Sequence, residues 1–77
     1  MTQINLRQLS LGQKANILKI NAEGELNRRI RDMGLIPGAS IEVVGRAPLR
    51  DPVALRIEGT TIALRNSEAD HIIVEVR

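Results

Sequence analysis

Val53-Ala54-Leu55-Arg56-Ile57-Glu58-Gly59-Thr60-Thr61-Ile62-Ala63-Leu64 reads as two strands around a turn. Val53, Leu55 and Ile57 alternate with Ala54, Arg56 and Glu58, the cleanest period-two pattern in the chain. Glu58-Gly59-Thr60 reverses the direction, and Ile62 and Leu64 supply the inward side of the returning strand. Working upstream, Ala47 to Pro52 holds Pro48 and Pro52 around a charged tip and is a loop, preceded by a β run from Ser40 to Val44 through Ile41, Val43 and Val44. Downstream, a polar stretch from Arg65 to Asp70 leads into a strand with Ile72, Val74 and Val76 on one side and Glu75 on the other.

Nearer the N-terminus, Leu6, Leu9 and Leu11 precede Gly12, and Gln13 to Ile20 reads as a strand through Ala15, Ile17, Leu18 and Ile20. From Glu23 to Met33 the period changes to helical, with Ala22, Leu26, Ile30 and Met33 in one narrow arc. Asn21 is the expected N-cap and Gly34 the expected left-handed C-terminal cap; acids at the start and arginines towards the end suit the helix dipole. Leu35-Ile36-Pro37-Gly38 is a turn. Five short strands at hairpin spacing with one inserted α-helix predict a mostly β chain, a small closed or nearly closed barrel, because closure removes exposed edges. Ile72 to Val76, if it lies at an edge, offers an aliphatic ladder for weak self-association.

Composition sets the limits on chemistry. The 77 residues, 43% of them hydrophobic, allow one domain, residues 1–77, with a core built from ten Ile, nine Leu and five Val. The chain has no Cys, which excludes disulfides, thiolate nucleophiles and zinc-finger ligation. It has no Phe, Tyr or Trp either, so it lacks the stacking platform on which most single-strand and RNA recognition depends. The apolar runs are too short to cross a membrane and the N-terminus lacks a signal-peptide pattern, so the chain is expected to be cytoplasmic without direct membrane insertion. The isoelectric point near 9.9 accompanies a net charge of only +2, a weak field for nucleic acid.

Few residues suggest a site. His71 is the single histidine, and Glu68 and Asp70 nearby make it a weak metal candidate, with hard oxygen donors suited to loose, adventitious binding of a divalent ion such as Fe(II). No Ser lies in a G-x-S-x-G elbow, no acid pair sits in an apolar context, and the glycines at 34 and 38 precede a strand with no G-K-[ST] following. Catalysis and a phosphate loop are therefore not expected. Arg28, Arg29 and Arg31 form the densest basic cluster: Arg28 and Arg31 lie opposite the apolar arc, Arg29 flanks it, and Glu25 and Asp32 can pair across turns. Such a face is either ordinary helix solubility or a partner surface, since arginine holds carboxylates bidentately.

Leu9-Ser10-Leu11-Gly12, then Arg28 through Gly38 (Arg-Arg-Ile-Arg-Asp-Met-Gly-Leu-Ile-Pro-Gly), then Asp51-Pro52 and the paired strands 54–57 and 61–64, resemble the ferrous iron transport protein A family over nearly the whole chain. Ile30 stands where that pattern carries Leu, a volume-conserving exchange. The resemblance implies an SH3-like barrel with an inserted helix, acting as the small soluble cytoplasmic component of bacterial ferrous iron uptake. It implies an accessory or regulatory, non-enzymatic role through contact with a ferrous iron permease that carries a cytoplasmic GTP-binding domain. A similar module forms the C-terminal domain of some metal-dependent repressors, so fold alone leaves function open. The residues themselves point to a surface rather than a cleft: Arg28 and Arg31 beside Leu35 and Ile36 are the expected partner-binding face, while Gly34, Pro37, Gly38 and Pro52 are expected to set backbone geometry. Two other classes are a metal-sensing or metal-binding module and a nucleic-acid-binding small barrel, the latter not expected at this net charge.

Overall fold

The computed structural model describes residues 2–77. Six strands form one antiparallel sheet: β1 (Thr2–Asn5), β2 (Lys14–Ile20), β3 (Ser40–Arg46), β4 (Val53–Ile57), β5 (Thr60–Leu64) and β6 (Ile72–Val76), in the order β1-β6-β2-β3-β4-β5. Helix α1 (Gly24–Asp32) joins β2 to β3, a one-turn helix α2 (Asn66–Ala69) joins β5 to β6, and a 3-10 turn (Leu6–Gln8) follows β1. The expected hairpin is in place, with Leu55 facing Ile62 on β5 and Val43 on β3. Period-two burial follows the pattern of the residues: Val53, Leu55 and Ile57 are buried, as are Ile41 and Val43, and Ile72 and Val74.

All of these side chains meet in one core with Leu6, Leu9, Ala15, Ile17, Ile30, Leu35, Leu64 and Ala69. α1 contributes Ile30 fully, with Ala22, Leu26 and Met33 packed against the margin, which is the arc expected of it. Full burial of a single Leu or Ile side chain stabilises by about 1.5–3 kcal/mol, so this aliphatic cluster is the dominant favourable contribution to the fold.

The structure departs from the sequence pattern in several places. There are six strands, because Thr2–Asn5 adds to the outer side of β6, with Ile4 opposite Val74. With a single large apolar residue, that segment has no alternation to reveal it. Its addition makes β6 an internal strand, flanked by β1 and β2, so Ile72 to Val76 is not an edge available for self-association. The edges are β1 and β5, which do not pair with each other. Leu18 does not join Ala15 and Ile17 inside, since plain alternation after Ile17 turns it outwards, and the bulge between Ile17 and Lys19 then brings Ile20 back against the core.

The cap of α1 also differs. Glu23 is the N-cap and makes no side-chain cap bond, while the Asn21 amide donates to the His71 carbonyl oxygen at 2.6 Å and so ties the helix approach to the start of β6. The polar stretch after β5 is a helical turn and not a plain connection: the Arg65 amide donates to Glu68 Oε1 at 3.0 Å, satisfying one of the donors left over at a helix start. Arg46 joins the N-terminal turn to the sheet, donating from one terminal nitrogen to the carbonyl oxygens of Arg7 at 2.9 Å and Leu9 at 2.7 Å.

Candidate partner-binding surface

The end of α1 determines what this surface can offer. Gly34 has φ +90°, a conformation in which a side chain is strained, and its amide donates to the Arg31 carbonyl oxygen at 2.9 Å. The next amide, Leu35, donates to the Ile30 carbonyl oxygen at 3.3 Å. These two bonds form a Schellman cap, in which the residue after the glycine habitually lays its apolar side chain against the helix. Ile30 and Leu35 are accordingly both fully buried.

Leu35 is therefore corrected from a surface residue to a core residue: at 0% exposure it presents nothing to a partner. Ile36 behaves differently, since the turn points its neighbour inwards and leaves it 45% exposed. The Gly38 amide donates to the Ile17 carbonyl oxygen at 2.7 Å and the Ile17 amide to that of Ala39 at 2.9 Å, which fastens this turn beside β2 at the outward-facing Leu18. Gly38 adopts φ +93°, and Pro37 precedes it at the tip. The bond between Asp51 and Pro52 is cis, in the loop closed by the Ala47 amide donating to the Pro52 carbonyl oxygen at 3.1 Å.

Arg28 and Arg31 are exposed on α1. Arg28 approaches Glu25 at 3.8 Å with both side chains in solvent, a contact that contributes little. Arg31 has no ion pair among the described residues and is free to meet an anionic partner. Arg29 does not belong to that face: its Nε lies 3.1 Å from Oε2 of Glu68, whose side chain is only 7% exposed. The approach is a charge contact without hydrogen-bond alignment, since Oε2 is buried and has no bonded donor. A buried carboxylate without its cation is costly, so Arg29 serves the fold.

The three metal candidates are close in sequence and are held apart by their bonds. Glu68 caps α2 and faces Arg29. Asp70 receives Arg7 at 3.3 Å on both carboxylate oxygens. His71 Nδ1 lies 3.0 Å from the Asn21 carbonyl oxygen and, the carbonyl being an acceptor only, carries the proton. Among the described residues no three His, Cys, Asp or Glu side chains come together, so the donor set does not fit a resident metal centre. No helix among the described residues is long and apolar enough to cross a membrane.

A small six-stranded antiparallel sheet with α1 inserted between β2 and β3 is a module of the SH3-like class. The model of the FeoA domain matches residues 4–76, and the chain belongs to that family. A Porphyromonas gingivalis protein named as a fusion of Fe(2+) transport protein A with the Fe(2+) transporter FeoB is 40% identical over 95% of this chain, which spans 9% of that protein. The FeoA-like protein of Clostridium acetobutylicum is 42% identical, with a TM-score of 0.90 over 99% of this chain and 90% of that one. The FeoA of Stenotrophomonas maltophilia, described as a prokaryotic SH3 domain protein and solved in complex with zinc, is 28% identical, with a TM-score of 0.80 over 94% of this chain and 89% of that one. A manganese-dependent transcriptional repressor shares the fold alone: at 18% identity and a TM-score of 0.87, the match covers 97% of this chain and 42% of the repressor.

Proposed function

We propose that this chain is a non-enzymatic accessory or regulatory component of ferrous iron uptake, located in the cytoplasm, that acts by contact with a ferrous iron permease and its cytoplasmic GTP-binding domain. The observation that carries this reading is the Porphyromonas gingivalis relative, in which a segment 40% identical to this chain is named as part of one polypeptide with a ferrous transporter. Covalent linkage holds two modules at high effective concentration, an arrangement that preserves a working contact between them. Ferrous ion is the cargo in this reading, and its coordination falls to the permease.

The contact face is α1 and the turn after it: Arg28 and Arg31 supply positive charge, and Ile36, with Leu18 beside it, supplies apolar area. Arginine is enriched at protein interfaces, and an exposed aliphatic side chain adds apolar area that a partner can bury. The test is calorimetric titration of the chain into the isolated GTP-binding domain of the cognate permease, with and without guanine nucleotide. Saturable binding is expected, and a nucleotide dependence identifies regulation of the switch state. Absence of binding to both that domain and the full permease would overturn the reading.

A further inference from the structure

A second charged region lies outside the face just described. Arg7 from the 3-10 turn, Arg46 at the end of β3, Arg50 and Leu49 in the β3–β4 loop, and Asn66 at the start of α2 line a basin of about 350 Å³. The three arginines come from separate segments, and the fold brings them together. Arg46 is fixed in place by its two bonds to carbonyl oxygens, while its Nε is buried without a partner. Burial holds its guanidinium below the ordinary arginine range, and repulsion from Arg50 and then Arg7 adds to the effect. Two carboxylates lie nearby and are otherwise engaged: Asp70 with Arg7, and Asp51, whose Oδ1 accepts the Asn66 amide at 3.0 Å. Arg50 has no ion-pair partner among the described residues, and its backbone sits at φ +66°.

Two features together distinguish this basin from a simple anion pocket. It offers an unpaired cation in Arg50 beside the half-buried Arg46. Its rim carries Leu49, 90% exposed, the most exposed large aliphatic side chain described. An inorganic oxyanion would satisfy the first of these only. A peptide satisfies both, because it brings a carboxylate and an apolar side chain together.

We propose that this basin docks an acidic segment of a partner protein, with a Glu or Asp carboxylate on Arg46 and Arg50 and an aliphatic side chain against Leu49. The site is separate from α1 and does not depend on the identity of the permease as partner.

The probe is an acetylated, amidated Glu-Leu-Glu peptide titrated into the ¹⁵N-labelled full chain at low ionic strength, where screening is weak. Saturable shifts are expected at Arg7, Arg46, Leu49, Arg50 and Asn66, with a Kd of about 1–10 mM for so short a ligand. The Gln-Leu-Gln analogue and the Arg50→Gln variant should each weaken binding about tenfold, the size of one lost charge-assisted contact of roughly 1.4 kcal/mol. Leu49→Ser should weaken the peptide and leave sodium phosphate unaffected. Equal binding of the Gln analogue, shifts centred on α1, or no shifts at saturating peptide would each overturn the proposal. Phosphate binding as tightly as the peptide would also overturn it, and would assign the basin to inorganic oxyanions.

Discussion

Two sets of three arginines occupy this molecule. Arg28, Arg29 and Arg31 lie side by side in the sequence, yet the helix disperses them: Arg28 reaches an exposed Glu25, Arg29 turns to the buried Glu68, and Arg31 stands alone in solvent. Arg7, Arg46 and Arg50 come from segments far apart in the chain, yet the 3-10 turn, β3 and its loop converge on one basin. In that second set partial burial, and after it repulsion from Arg50 and Arg7, holds down the proton affinity of the half-buried Arg46. Charge density along a chain is thus a poor guide to charge density in space, because a 3.6-residue repeat spreads neighbours around an axis and an antiparallel sheet gathers distant segments.

The largest effect that can separate the two regions is expected on the α1 face, which divides between Leu35 and Ile36. Leu35→Ala should cost about 2–5 kcal/mol in urea unfolding, as expected for a fully buried leucine, whereas Ile36→Ala should stay within roughly 0.5 kcal/mol. Similar costs for the two would erase the boundary between core and surface drawn at Gly34.

Gly34→Val should destabilise by about 1–3 kcal/mol, because φ +90° strains a β-branched residue. The space itself is adequate, since an added Cβ would meet Ile57 Cγ2 at 3.6 Å, ordinary contact. Gly34→Asn should therefore recover part of the loss, and equal losses for Val and Asn would mean that packing and not backbone conformation is responsible.

In the basin, Arg46→Met should cost roughly 1–3 kcal/mol by orphaning the Arg7 and Leu9 carbonyl oxygens, and Arg46→Lys should not fully restore it. On α1, Arg28→Glu combined with Arg31→Glu should move stability by less than about 0.5 kcal/mol while weakening binding to the permease. A melting temperature unchanged alongside unchanged binding would remove those two arginines from the interface.

Much of the fold is legible in the residues themselves. Val53 to Leu64 shows the hairpin through strict alternation, and Ala22, Leu26, Ile30 and Met33 show the helix through its period, because each element buries one face and repeats at its own interval. β1 is not legible, since pairing with β6 depends on backbone groups that any residue carries. α2 is hidden for a related reason: its N-cap is Arg65, which is not a capping residue, and Glu68 does the capping from within the turn. Of the candidate surface, the helical period places Arg28 and Arg31 outside, where they lie, and Ile36 is exposed as expected of a turn. Leu35 escapes such reasoning because a Schellman cap reverses the direction of the residue that follows its glycine.

Residue type and local spacing account for the aliphatic core, the strand and helix periods, the turn glycines and the motif around Met33-Gly34 within the matched FeoA domain. Which strands are edges, that Glu68 faces Arg29, and that Arg7, Arg46 and Arg50 share one basin emerge only from the folded arrangement. Those facts depend on which distant segments the sheet brings within a few ångströms of each other, and no local pattern encodes such distances.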